Sequence, residues 1–186
     1  MELELSQDKI AALARRIDRP LVLVGMMGVG KTSVGRRLAA QLHLPFTDAD
    51  EEIERAAQMS IPEMFEQFGE AYFRDGERRV IARLVESGRK VIATGGGAFV
   101  NPDTRAMILT KAIAVWLDSD IEVLLERVQR NANRPLLQSG NPREVLTRLK
   151  AERESAYAEA PIHVTSGQGP HTRAVSHILK GLDAWL

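Results

Sequence analysis

The octapeptide Gly25-Met26-Met27-Gly28-Val29-Gly30-Lys31-Thr32 constrains this chain more than any other stretch. It fits G-x-x-x-x-G-K-[ST], follows the apolar run Leu21–Gly25, and precedes a segment where Val34, Leu38 and Leu42 recur at fourfold spacing. Strand, glycine loop and amphipathic helix in that order make a phosphate cradle. The glycines let the loop wrap an anion so that successive backbone N–H groups point inward, and the positive end of the helix faces the same anion. Lys31 is expected to reach the β- and γ-phosphates, and the Thr32 hydroxyl to ligate Mg²⁺. A glycine turn can be purely structural, but the full motif in this context predicts a nucleotide-binding site.

The remaining apolar runs tell what carries the cradle. Strand candidates fall at Leu21–Gly25, Pro45–Asp48, Val91–Thr94, Ile113–Leu117 and Pro161–Thr165, with room for a helix in each interval. That alternation predicts an α/β domain built on a parallel sheet covered by helices. Ile81, Leu84 and Val85 mark a helix that Gly88 could end in a left-handed cap. Asn101-Pro102 and Asn141-Pro142 read as N-caps followed by proline in the first turn, the second with Glu144 at capping-box spacing. Val175, Ile178, Leu179 and Leu182 mark the last helix. Leu5, Ile10, Leu13 and Ile17 suggest that residues 1–19 form an N-terminal helical extension. No repeat, linker or low-complexity tract divides the 186 residues, which predicts a single domain.

Composition excludes several chemistries. The chain has no cysteine, so disulfides, a thiolate nucleophile and cysteine-ligated zinc or iron–sulfur centres are ruled out. Such a chain suits a reducing cytoplasm. Its apolar runs are too short to cross a bilayer, and its first residues lack a basic-then-apolar signal pattern, so no membrane partner is expected. With 25 basic and 25 acidic residues, the global signature of nucleic-acid binding is missing. The balance hides a polarity along the chain. Residues 48–86 hold eleven acids against five arginines, and residues 127–153 hold seven bases against two glutamates. Such blocks are usually solvated helix faces unless a ligand gathers them.

A phosphate cradle alone does not separate a kinase from a GTPase or a motor, so the acid that assists the metal matters. Asp118 ends an apolar strand but precedes a helix, which favours a capping role. Asp48, at the end of the second strand, is the better candidate. In an extended Asp48-Ala49-Asp50 the two carboxylates would share a side, one serving the metal and one an acceptor hydroxyl. Glu51, Glu52 and Glu54 follow at once, so a plain acidic surface cluster is the alternative. Arg74 near the strand tips could fork a substrate carboxylate. Gly95-Gly96-Gly97 would let a small ligand approach the backbone.

Taken together these segments resemble the shikimate kinase family over about residues 20–180. The likeness rests on the loop with Gly25, Met27 and Gly28, on Phe46-Thr47-Asp48-Ala49-Asp50, and on Phe73-Arg74-x-x-Glu77. Gly95-Gly96-Gly97, Arg134-Pro135-Leu136-Leu137 and Arg153-x-x-x-Tyr157-x-x-Ala160 complete it in order.

The resemblance implies a P-loop kinase fold, with a five-stranded parallel sheet of order 2-3-1-4-5 and helices on both faces. It also implies a substrate-binding lobe at about residues 50–88 and a lid at about 127–143. The implied reaction is ATP-dependent phosphorylation of shikimate at its 3-hydroxyl, in a monomeric cytoplasmic enzyme that needs Mg²⁺. Gly28, Val29, Gly30, Lys31, Thr32 and Ser33 would bind the nucleotide, with Arg127 against adenine and Arg134 on the lid reaching the transferring phosphate. Asp50 would orient or deprotonate the hydroxyl, making Lys31, Asp50 and Arg134 the catalytic set. Arg74 and Arg153 would clamp the carboxylate, Gly96 and Gly97 complete the acceptor pocket, and Glu77 supports Arg74. Thr32 would ligate Mg²⁺ directly and Asp48 through water.

Other features read as structural. His43, His163, His171 and His177 lack metal spacing and are expected at the surface or core edge. Arg148 and Lys150 suit a solvated helix face, Trp116 the core, and Met59, Met64 and Phe65 the small lobe. Two rival readings are a P-loop kinase for another acceptor, such as gluconate or a nucleoside monophosphate, and a sensor domain without turnover.

Overall fold

The computed structural model of the chain describes residues 4–130 and 140–186. Five parallel strands form the sheet: β1 (Leu21–Val24), β2 (Phe46–Asp48), β3 (Val91–Ala93), β4 (Ile113–Asp118) and β5 (Ile162–Thr165), in the order β2-β3-β1-β4-β5. The expected order and strand positions are met to within a residue or so. β1, β3 and all of β4 but its last residue are buried on both faces, which is why they read as unbroken apolar runs. At the edge, β5 buries Ile162 and Val164 and exposes His163 and Thr165.

Eight α-helices cover the sheet among the described residues: α1 (Gln7–Arg16), α2 (Lys31–Leu42), α3 (Ala49–Ala57), α4 (Ile61–Glu86), α5 (Pro102–Lys111), α6 (Ile121–Gln129), α7 (Pro142–Tyr157) and α8 (His171–Trp185). α2 and α8 pack together on one face with α1 against both, while α4 and α5 pack together on the other. α1 is held by buried Ile10 and Leu13, and Ile17 just beyond it is also buried.

Local chemistry sets the helix ends. Asn101 Oδ1 accepts from the N–H groups of Asp103 (2.9 Å) and Thr104 (3.1 Å), with Pro102 in the first turn. After α4, Gly88 takes φ +98°, as the sequence predicts for a left-handed turn. At α7, among the described residues, Asn141 Oδ1 accepts from the N–H of Arg143 alone (3.0 Å). The predicted reciprocal bond from Glu144 is absent there. A reciprocal box occurs instead at Ser60 and Glu63, opening α4. Gly69, at φ 83° and ψ 173°, breaks α4 into two helical segments.

One difference matters for the site. Asp48-Ala49-Asp50 is not an extended tripeptide. Asp48 ends β2 and caps α3, its Oδ1 accepting from the N–H groups of Asp50 (2.9 Å) and Glu51 (3.3 Å). Asp50 therefore sits in the first turn of a helix, because a strand-end aspartate satisfies the orphan amides that follow it.

The core is the sheet itself. Ile92 is fully buried in β3, level with Val22 of β1 and Thr47 of β2. Ile92→Ala should cost about 3 kcal/mol of stability. Thermal unfolding should then show a midpoint lower by roughly 6–12 °C with the transition still cooperative.

Candidate active site

The cleft at the carboxyl ends of β1, β2 and β3 has a volume of about 380 Å³. It is lined by Met27 and Gly28, by Gly30 to Ser33, by Asp48 and Asp50, by Thr94, Gly95 and Gly96, and by Arg127 and His171. Another cleft of about 430 Å³ lies between α3 and α4, with Ile53, Met64 and Tyr72 among its lining, away from the glycine loop. Its arginines are engaged locally, Arg79 with Asp75 and Arg83 with Glu52. The convergent polar groups belong to the first cleft.

The loop after β1 is shaped by close packing. Gly25 has φ +142°, and a β-carbon there would lie 2.2 Å from the carbonyl oxygen of Leu117 in β4. Only glycine lets the chain turn that tightly against its neighbour strand. Gly30 begins α2 without a side-chain cap, leaving the first amides of the helix turned toward the cleft. Lys31 is buried, and its Nζ donates to the carbonyls of Gly25 (2.7 Å) and Met26 (2.8 Å). Arg127, from α6, ties the loop down. Its Nη1 donates to Val29 O at 2.9 Å and its Nη2 to Gly167 O at 2.9 Å, linking the glycine loop to the segment after β5.

Thr32 Oγ1 donates to Asp48 Oδ2 at 2.7 Å. A hydroxyl and a carboxylate thus meet at the mouth of the cradle, a pair of hard oxygen donors of the kind Mg²⁺ takes alongside water and phosphate oxygens. No cluster of three or more His, Cys, Asp or Glu able to hold a metal occurs among the described residues. The donor set fits an ion that gets most of its ligands from nucleotide and water.

The other half of the cleft is organised by the three glycines after β3. A β-carbon on Gly95 would come 3.0 Å from Asp50 Oδ1, and one on Gly96 3.0 Å from an Nη of Arg153. One on Gly97 would come 2.4 Å from an Nη of Arg74. The turn is pinned to β1 by Thr94, whose N–H and Oγ1 both donate to Leu23 O, at 3.2 and 2.9 Å. Asp50, Arg74 and Arg153 are thus brought together as expected, with Gly96 and Gly97 between the arginines.

Glu77 is buried and accepts from Arg74 Nη1 at 2.8 Å. Burial pushes its carboxyl pKa up, and the positive charges of Arg74 and Arg153 oppose the rise. Phe73 lies 4.8 Å, ring to ring, from Phe65, and Arg74 sits 5.2 Å over the Phe73 ring. Met64 is buried in the same lobe. Arg134, with residues 131–139 of the expected lid, lies outside the described residues.

Three expectations change. Asp118 does not cap α6, whose N-cap is Asp120. Its Oδ1 instead accepts from the N–H of Ser119 (2.8 Å) and pairs with Lys150 (3.2 Å). Lys150 is accordingly no solvated helix residue, since it also donates to Ser119 O at 2.8 Å. His171 was expected at the surface or core edge, yet it lines the nucleotide side of the cleft next to Gly30. Its Nδ1 is buried and has no hydrogen-bond partner among the described residues. Burial, then the charges of Arg127 and Arg37, hold its pKa below the ordinary histidine value. Only its place at the end of a short glycine segment before the last helix hinted at this.

Comparison with known proteins agrees with the geometry. A family model described as shikimate kinase matches residues 27–183. The shikimate kinase of Novosphingobium aromaticivorans is 66% identical over 186 residues, spanning 98% of this chain and 96% of that protein. That of Bradyrhizobium diazoefficiens is 54% identical over 168 residues, spanning 90% and 81%. Among solved structures, a shikimate kinase from Acinetobacter baumannii in complex with shikimate superposes with a TM-score of 0.87 at 37% identity. It covers 96% of this chain and 98% of its own.

Glu77 gives a pH test of the buried pair. Its pKa is raised on folding, so between the unfolded and folded values the native state holds more proton than the unfolded one. Stability from this group is therefore present in acid and lost as pH rises through the folded value. Denaturant titrations across the range just above the ordinary carboxylate pKa should show wild type losing stability relative to Glu77→Gln as pH rises. A difference that stays flat, or grows in favour of wild type, contradicts the burial argument.

Proposed function

The chain belongs to the shikimate kinase family, and on that premise we propose how its residues divide the work of phosphorylating shikimate. The reaction is transfer of the γ-phosphoryl group of ATP to the 3-hydroxyl of shikimate, a step of chorismate and aromatic amino-acid biosynthesis. The observation that carries the division of labour is the glycine turn, where three successive residues back onto three different charged groups, Asp50, Arg153 and Arg74.

Phosphoryl transfer needs alignment and charge neutralisation more than covalent chemistry. Gly28 to Ser33 bind the phosphates, and Lys31 exchanges its loop carbonyls for phosphate oxygens as ATP enters. Arg127 lies along the base side, supported by its bonds to Val29 and Gly167. Arg74 and Arg153 bind the shikimate carboxylate, with Glu77 keeping the Arg74 plane fixed. Their fork geometry anchors one end of the ring, and Asp50 at the opposite side of the turn accepts the hydrogen bond of the attacked hydroxyl. Asp50 then takes the hydroxyl proton as the new O–P bond forms and ADP leaves.

Thr32 directly, and Asp48 through water, would hold Mg²⁺, which when bound neutralises charge on the phosphates. Residues 50–88 act as the acceptor-binding lobe and 127–143 as the lid, from which Arg134 reaches the transferring group. Lid closure would exclude water and favour shikimate over hydrolysis. One chain supplies every proposed group, which supports a monomeric working unit, and we assign it to the cytoplasm. No helix among the described residues is long and apolar enough to cross a membrane.

ADP release with shikimate, gluconate and nucleoside monophosphates as acceptors tests the pocket, and only shikimate should support turnover. Asp50→Asn should lower kcat by roughly 10²–10⁴-fold. Its ATP affinity, read by nucleotide titration, should change by less than about twofold. Near-normal turnover would remove Asp50 from catalysis.

A further inference from the structure

Tyr157 is the buried titratable group that the division of labour above leaves without a task. It ends α7, one turn after Arg153, and is 1% exposed. Its hydroxyl donates to the carbonyl of Gly96, the middle residue of the glycine turn. A β-carbon at Gly96 would come 3.0 Å from Arg153 Nη1, so the residue held by the hydroxyl is also the one that backs onto the guanidinium. Met26 Sδ lies 4.0 Å away, in the loop whose Met26 carbonyl accepts from Lys31. The ring packs against Trp116 of β4 with centroids 5.9 Å apart.

Each contact has a mechanical consequence. A phenol that gives its proton to Gly96 O ties the end of α7 to the glycine turn. The hydroxyl therefore fixes Gly96 against the guanidinium of the same helix, and that backing limits the plane the guanidinium can take. Burial raises the Tyr157 pKa, against the opposing charges of Arg153 and Arg74, so the group remains a donor at neutral pH. A guanidinium that must meet a carboxylate with two parallel bonds gains from being held in one plane before the ligand arrives.

We infer that Tyr157 is a positioning residue for shikimate, holding the Arg153 fork and the Gly96 carbonyl in one fixed relation through its hydroxyl. The inference rests on the reading of Arg153 as a carboxylate ligand. Tyr157 acts through Arg153 and touches neither substrate. Its loss should be felt in acceptor binding, while the nucleotide half works as before.

Tyr157→Phe keeps the ring and its packing on Trp116 and removes only the oxygen. Steady-state kinetics should be compared for wild type, Tyr157→Phe, Arg153→Lys and the double variant, varying shikimate and ATP separately. Tyr157→Phe should raise KM for shikimate roughly three- to tenfold, in line with losing one neutral hydrogen bond that holds the turn. KM for ATP should move by less than about twofold. In the Arg153→Lys background the further loss should shrink to about twofold or less, because the plane being held is gone. An unchanged shikimate KM in Tyr157→Phe, with Arg153→Lys impaired, overturns the positioning role and leaves the clamp standing. Equal rises in both KM values, or full additivity in the double variant, also overturn it in favour of a merely structural tyrosine. A normal shikimate KM in Arg153→Lys overturns the clamp itself, and the positioning role with it.

Discussion

The candidate site depends on β1 being hydrogen-bonded on both sides. Leu23 of β1 is level with Ala93 of β3 and Val115 of β4, and Ala93 is level in turn with Asp48 of β2. Three chains therefore leave the sheet at the same height. β1 leaves into the phosphate loop, β3 into the glycine turn, and β2 into the first turn of α3. A slip of one residue in any pairing would turn strand side chains to the opposite face and lift one of these departures out of the plane. The buried, two-sided β1 and β3 make such a slip costly. Cooperative packing of the sheet thus transmits directly into the distance between nucleotide and acceptor groups.

The second constraint is electrostatic. Arg74 and Arg153 sit close enough that both charges act on Glu77. A single buried carboxylate between two guanidinium groups is a poor source of stability, because taking it out of water offsets much of the attraction. Its value is geometric. The bond from Arg74 Nη1 to Glu77 fixes one edge of the fork, and an Nη lies against Gly97. Arginine carries five N–H donors, enough to keep its internal partner and still meet a ligand carboxylate. The pair is partly neutralised before any ligand arrives, so the proposed carboxylate clamp is not built from two unscreened cations.

Much of this was legible in the sequence because it rests on local pattern. Apolar runs ended by glycine or aspartate marked the strands, and Asn-Pro pairs marked two helix starts. The glycine loop and its lysine announced the phosphate site from spacing alone. What could not be seen depends on distant neighbours. Asp118 finds Lys150 because β4 and α7 adjoin, and that contact spans 32 positions of chain. His171 faces Gly30 because α8 packs beside α2, which no periodicity near residue 171 encodes. The extended reading of Asp48-Ala49-Asp50 failed for a subtler reason. Asp48 both ends a strand and caps a helix, and the two roles compete for the same residue in a pattern search. The two carboxylates still converge, but a helix start places them, not strand alternation.

The glycine turn explains why a small pocket can hold three strong charges at once. Alanine at Gly95 or Gly96 would bring a β-carbon to 3.0 Å from an Asp50 carboxylate oxygen or an Arg153 nitrogen, and at Gly97 to 2.4 Å from an Arg74 nitrogen. These are not flexible tips in open water. Arg153 is buried, and Arg74 is held by Glu77. Side chains at the turn would push the charges outward and open the ring of groups that a compact acceptor must fill. With no side chains there, acid and cations stand off from a common backbone by one van der Waals contact each. The backbone is itself bolted to β1 through Thr94 and to α7 through Tyr157. Positioning for the proposed phosphoryl transfer then follows from one rigid turn, because the acid proposed for the hydroxyl and the arginines proposed for the carboxylate are measured from the same three residues.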